Sequence, residues 1–91
     1  MLMIRHTIGS RLLFQTDQYN IERKGDFWGI STLVDEKSSS QIMYFREELN
    51  IFEVSENEKA WYYSSDAQID FQPTEQRLVI LADHKTVYPV K

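Results

Sequence analysis

Apolar residues in this chain come in short runs rich in β-branched and aromatic side chains, and polar clusters interrupt them about every ten residues. The clusters are Thr16 to Gln18, Arg23 to Asp26, Asp35 to Ser40, Ser55 to Lys59, Ser64 to Asp66, Pro73 to Glu75 and Ala82 to Lys85. They must do the work of turns, because the usual breakers are only Gly9, Gly25, Gly29, Pro73 and Pro89. Strands are therefore expected over Arg11 to Gln15, Tyr19 to Arg23, Phe27 to Val34, Gln41 to Phe45, Ile51 to Val54, Ala60 to Tyr63, Gln68 to Gln72, Arg77 to Leu81 and Thr86 to Val90. That spacing marks a sandwich or small barrel and not a βαβ protein.

Two segments alternate with period two, Phe52-Glu53-Val54 and Gln68-Ile69-Asp70-Phe71-Gln72, and so predict half-exposed strands with their apolar residues facing inward. Leu78-Val79-Ile80-Leu81 is apolar throughout. It predicts a central strand covered on both faces, or a strand buried at a partner interface. The one helical candidate, Phe45 to Asn50, has room for a single turn. The expected core is Leu13, Tyr19, Ile21, Ile30, Leu33, Ile42, Tyr44, Phe52, Val54, Ile69, Phe71, Leu78 and Ile80.

Ninety-one residues, 42% hydrophobic and 26% charged, describe one domain, residues 1–91, that folds on an apolar core. The absence of cysteine excludes disulfide, thiolate and cysteine-zinc chemistry. Met1 to Ile4 is apolar for only four residues before Arg5, too short for a signal peptide core or a membrane span. The expectation is a cytoplasmic protein without a membrane partner. Ten basic against fourteen acidic side chains leave a net charge of -4, with residues 1–30 at +1 and residues 31–91 at -5. That balance argues against a general phosphate-backbone binder, though not against a local basic patch.

Catalytic chemistry has little to draw on. His6 and His84 are the two histidines, and neither has a ligand-spaced companion or a nucleophile-elbow glycine pattern nearby. Gly25-Asp26-Phe27-Trp28-Gly29 lacks the spacing of a phosphate-binding loop. The expectation is a non-enzymatic protein with no metal site and no cofactor. A small enzyme is the second alternative, recognisable by a deep pocket holding His6 or His84 beside a carboxylate.

The aromatic residues carry more. Two Trp, five Tyr and five Phe include the consecutive pairs and triplets Phe27-Trp28 and Trp61-Tyr62-Tyr63. Consecutive strand residues face opposite ways, so each cluster sends at least one ring away from the core. Exposed Trp and Tyr are the residues that anchor protein interfaces. The site expected on these grounds is a protein-binding patch of Trp28, Trp61, Tyr62 and Tyr63, rimmed by the acids Glu47, Glu48, Glu53, Glu56 and Glu58. Clustered carboxylates of this kind can imitate phosphates and occupy the basic groove of a nucleic-acid-binding protein. The leading expectation is thus an interaction module, an acidic inhibitor docking on a larger protein. The alternative is a nucleic-acid-binding module using Arg23, Lys24 and Arg46, which interleave with Phe27, Trp28, Tyr44 and Phe45.

The segment from Gly25-Asp26-Phe27-Trp28-Gly29-Ile30 through Ser40-Gln41-Ile42-Met43-Tyr44-Phe45-Arg46-Glu47-Glu48-Leu49-Asn50-Ile51-Phe52 resembles the latter half of small SH3-like barrels. In those barrels a hairpin leads through a one-turn helix of the Glu-Glu-Leu type into a short closing strand. The resemblance spans about half the chain and implies a barrel with a binding role. Departures from the pattern are a missing glycine-bearing opening strand and some forty residues after Phe52. The expected architecture is therefore mostly β, an SH3-like barrel or roll with additional C-terminal strands and at most a one-turn helix. A homodimer would follow if Leu78 to Leu81 lay at a sheet edge.

Overall fold

The structure, a computed structural model, describes residues 1–63 and 68–89. Among them the chain forms nine strands and one helix: β1 Leu2–His6, β2 Leu12–Thr16, β3 Tyr19–Lys24, β4 Phe27–Leu33, α1 Glu36–Tyr44, β5 Leu49–Val54, β6 Glu58–Tyr63, β7 Gln68–Gln72, β8 Arg77–Ala82 and β9 His84–Pro89. All pairings are antiparallel. One sheet has the order β2-β1-β5-β6-β9 and the other β3-β4-β8-β7. The fold is mostly β, as the sequence predicts, but its two sheets are open and separate and do not close into a barrel.

Local chemistry explains the hairpins. β3 and β4 pair Lys24 with Phe27, leaving the two-residue loop Gly25-Asp26. Such a loop needs positive φ to match the strand twist, and Gly25 provides it at 63°. The β1–β2 connection uses the same device at Gly9, with Ser10 also at positive φ. A bulge between Ile4 and Arg5 then turns Leu13 into the core, while Leu12 stays outside opposite Arg5.

Two expectations change around residue 40. The segment Asp35 to Ser40, read as a turn, and Gln41 to Phe45, read as a strand, together hold a nine-residue helix. Asp35 caps it, its carboxylate accepting from the Ser38 backbone N–H at 3.0 Å, and Glu36 favours the positive helix end. Ser39 and Ile42 face inward three residues apart, so α1 offers a narrow apolar stripe between β2 and β7. Of the Phe45 to Asn50 segment, expected as a one-turn helix, Phe45 to Glu48 form the turn after α1, and Leu49 and Asn50 begin β5.

The core lies between the sheets. Leu2, Ile4, Leu13, Ile51, Ala60 and Tyr62 from the five-stranded sheet meet Ile30, Leu78, Ile80 and Ala82 from the four-stranded one, with Val34 and Ile42 at the side. Leu13, Ile30, Ile42, Leu78 and Ile80 are buried as expected, and Tyr19, Ile21, Ile69 and Phe71 pack half-buried against them. Leu33 is not core. It follows buried Thr32 in β4, points outward at 56% exposure, and leaves Thr32 Oγ1 to donate to the Gln18 carbonyl inside. Tyr44, at the end of α1, is 81% exposed. β8 is central, between β4 and β7, so Leu78 to Leu81 is no sheet edge and the dimer expected through it has no free strand.

The most consequential correction concerns β5. Its alternation predicts Phe52 and Val54 inside and Glu53 outside, yet the structure has the opposite. Ile51 pairs with Ile4 on one side and Tyr62 on the other, and all three are buried. This fixes the parity of the strand. Glu53 therefore faces inward, where the Tyr19 hydroxyl donates to its Oε2 at 2.6 Å.

Candidate interaction surface

The parity that buries Ile51 turns the other side chains of the five-stranded sheet outward, and the ladder registers say which they are. One row across the sheet is Met3, Phe52, Trp61 and Thr86. Beside it run Val54, Lys59 and Tyr88 on one flank and Tyr63 and His84 on the other. The rings touch. Trp61 and Tyr63 have centroids 4.5 Å apart, and Tyr63 stacks on His84 at 4.6 Å with planes 7° apart. Lys59 Nζ stands 4.2 Å over the Phe52 ring, and Trp61 Nε1 donates to Asn50 Oδ1 at 3.1 Å, which ties the indole to β5.

Since α1 packs on β2 and β7, neither a helix nor the second sheet covers this face among the described residues. Exposure grows toward the edge strand β9, every residue of which is exposed. Charge separates this face from the rest of the molecule. Its outward positions on the five strands include Arg5 and Lys59 and no carboxylate, in a protein of net charge -4. The outward face of the other sheet mixes Val79 and Leu81 with Glu22 and Asp70.

The four aromatic residues expected in one patch divide between two places. Trp61 and Tyr63 lie on the outer face. Tyr62 is 1% exposed and belongs to the core, so it offers no ring to a partner. Trp28 is half-buried on the inner side, its ring edge-on to Tyr62 at 6.3 Å. Phe52, Tyr88, His84 and Lys59 also lie on the outer face, outside the patch expected from the sequence. The signal for Tyr88 was in the sequence, as the period-two partner of Thr86 on a terminal strand, but Phe52 was hidden because its apolarity argued for burial.

Where the sheets part, an open groove of about 570 Å³ is lined by Tyr19, Arg23, Trp28, Glu53, Tyr62 and Lys85, with Asp17, Asn20 and Ile21. The Arg23 guanidinium stands 4.5 Å over the Trp28 ring and Lys85 Nζ 5.4 Å over Tyr62. At the other end of β3, burial first and the hydrogen bond to Glu53 second push the Tyr19 phenol up to about 12.

The charged residues expected to act together are dispersed. Glu47 and Glu48 precede β5, and Glu56 and Glu58 follow it, so roughly 20 Å of strand separates the two acidic pairs. Glu53 faces the groove. Among the bases, Arg23 lies in the groove, Lys24 runs along Gly29 on the outside of the four-stranded sheet, and Arg46 lies in the turn after α1. They make no single track. His6 Nε2 is 3.2 Å from Glu48 Oε1 with its ring 4.1 Å from Phe45, and His84 contacts the adjacent Asp83. Neither histidine lines the groove. No cluster of three metal-ligating side chains occurs among the described residues, and none of the described helices is long and apolar enough to cross a membrane. Comparison with known proteins returns nothing for this chain: no family model, no curated protein and no solved structure matches it.

Proposed function

We propose that this chain is a non-enzymatic protein-interaction module that docks on a larger partner through the outer face of its five-stranded sheet. The observation that carries this reading is the grouping of Phe52, Trp61, Tyr63 and Tyr88 on one face, outside the core between the sheets. Rigid rings of this kind supply contact area at little cost in side-chain freedom. The acidic pairs Glu47-Glu48 and Glu56-Glu58 border the face at the two ends of β5. A partner with an apolar patch flanked by basic residues would complement both. Covering such a patch would make this protein an inhibitor of whatever the patch otherwise binds.

A second reading rests on a different observation. Arg5 and Lys59 share this face, whose strand positions hold no carboxylate, an arrangement that suits stacked bases and phosphates of a single-stranded nucleic acid.

Affinity capture from the native host, with and without nuclease, compares the wild type with a Phe52→Ala, Trp61→Ala variant whose fold is verified by circular dichroism. A stoichiometric protein retained after nuclease and lost with the variant supports the first reading. Recovery of nucleic acid alone, with strong dependence on salt, moves the second ahead. A protein captured equally by both forms removes the face from consideration.

A further inference from the structure

Strand β9 combines two features that the outer face alone does not explain. It is a sheet edge, exposed along its whole length, with Val87 at 47% and Tyr88 at 37% exposure. An exposed edge presents unpaired backbone donors and acceptors, which proteins usually shield. Its side chains also serve two surfaces, since Lys85 and Val87 share the face of Tyr62 and Ala60, while Thr86 and Tyr88 share that of Trp61 and Lys59.

The groove behind this edge is cationic where it meets β9. Arg23 and Lys85 stand over Trp28 and Tyr62, and neither forms an ion pair among the described residues. The carboxylates of the groove, Asp17 and Glu53, lie toward the Tyr19 end, and Glu53 is held by the Tyr19 hydroxyl. Tyr19 and Arg23 are roughly 13 Å apart along β3, so the two acids and Arg23 occupy opposite ends of the groove. The two cations thus stand at the end of the groove away from its two acids.

We infer that β9 is a docking edge for an extended segment of a protein partner, added as a further strand, with carboxylates at alternate positions facing Arg23 and Lys85 and apolar side chains facing Tyr88 and Thr86. Alternate residues of a strand lie about 7 Å apart on one face, so two carboxylates separated by one residue reach the two cations separately. This inference rests on the protein-binding reading and specifies the chemistry of the partner.

The test uses the full chain and a nine-residue peptide of alternating Glu and Val with blocked ends. Calorimetric titration and amide chemical shifts report binding and its location. The expected result is perturbation of β9 and groove amides, affinity that falls with added salt, and about tenfold weaker binding by an Arg23→Glu, Lys85→Glu variant that keeps its thermal stability. No binding at about 1 mM peptide overturns the inference. So does equal binding of a peptide with Lys in place of Glu, or of one with its Glu residues grouped at one end. A dimer in sedimentation with protected β9 amides gives the edge to a second copy, and also overturns it. If the peptide fails while a captured protein still depends on Phe52 and Trp61, the edge inference falls and the face reading stands. If the peptide binds as described while capture ignores those two rings, the edge is supported and the face reading falls.

Discussion

Ile51 and Phe52 are neighbours on β5 whose truncation separates the two faces of the sheet. Ile51 is 3% exposed between Ile4 and Tyr62, both fully enclosed, so Ile51→Ala leaves a cavity that rigid neighbours do not fill. Large-to-small changes at such positions cost about 2–5 kcal/mol, and this one, flanked by two large buried side chains, about 3 kcal/mol. Phe52→Ala removes a larger side chain from a half-buried, outward position. Its cost is part of the burial of one ring plus the loss of the Lys59 ammonium 4.2 Å above it, about 1–2 kcal/mol in all. In a domain of this size each kcal/mol moves Tm by about 4–8 °C. Thermal unfolding followed by circular dichroism should therefore show Ile51→Ala lower by about 12–24 °C and Phe52→Ala by about 4–16 °C, with urea unfolding ranking them the same way. Binding through the outer face should reverse the order, Phe52→Ala losing the partner that Ile51→Ala keeps while folded. A Phe52→Ala loss of stability equal to or above that of Ile51→Ala would refute the parity assigned to β5.

Three further outcomes are expected. The Tyr19 phenol titrates at about 12 in the folded chain against an ordinary 10.0, so the unfolded chain releases that proton first. Its stabilising share is complete below pH 10 and is lost as pH rises through 12, and equilibrium unfolding across that window should be shallower in Tyr19→Phe. The Ser38 hydroxyl and backbone N–H, which hold the Asp35 carboxyl below its ordinary 3.8, give a contribution present above pH 3.8 and lost as pH falls through the lowered folded value. Asp35→Ala should lower Tm at neutral pH, Asp35→Asn should largely restore it, and the gap between wild type and Asp35→Ala should narrow in acid. Gly25 has φ of 63° and open space where a Cβ would stand, so Gly25→Ala should cost about 1 kcal/mol through backbone strain alone. Gly25→Asn should cost less, as read by denaturant midpoint.

Much of the strand content is legible residue by residue. Tyr19 to Arg23, Phe27 to Val34, Ala60 to Tyr63, Gln68 to Gln72 and Arg77 to Leu81 match β3, β4, β6, β7 and β8 within a residue or two at each end. The helix is not legible, because Ser38-Ser39-Ser40 reads as a turn until Asp35 is recognised as its cap and Ser39 as the small residue facing the core. β1 is not legible either, because the unbroken apolar run Met1 to Ile4 shows no period-two alternation. In the fold Leu2 and Ile4 are fully buried, and β1 lies between β2 and β5.

The amino-acid sequence by itself determines most of the strands and the hairpin turns between them, that thiol chemistry is absent, and that the Trp61-Tyr62-Tyr63 rings face two ways. Only the tertiary structure decides which way. A period-two pattern defines two faces without naming the inner one, and Phe52-Glu53-Val54 is assigned wrongly whenever apolarity alone chooses. The choice is made by neighbours distant in sequence: Ile4 and Tyr62 draw Ile51 inward, Tyr19 satisfies the carboxylate of Glu53 that this brings inside, and Phe52 is left outside beside Trp61. The candidate surface exists because burying three residues together outweighs the exposure of one ring, and that comparison requires knowing which strands are adjacent.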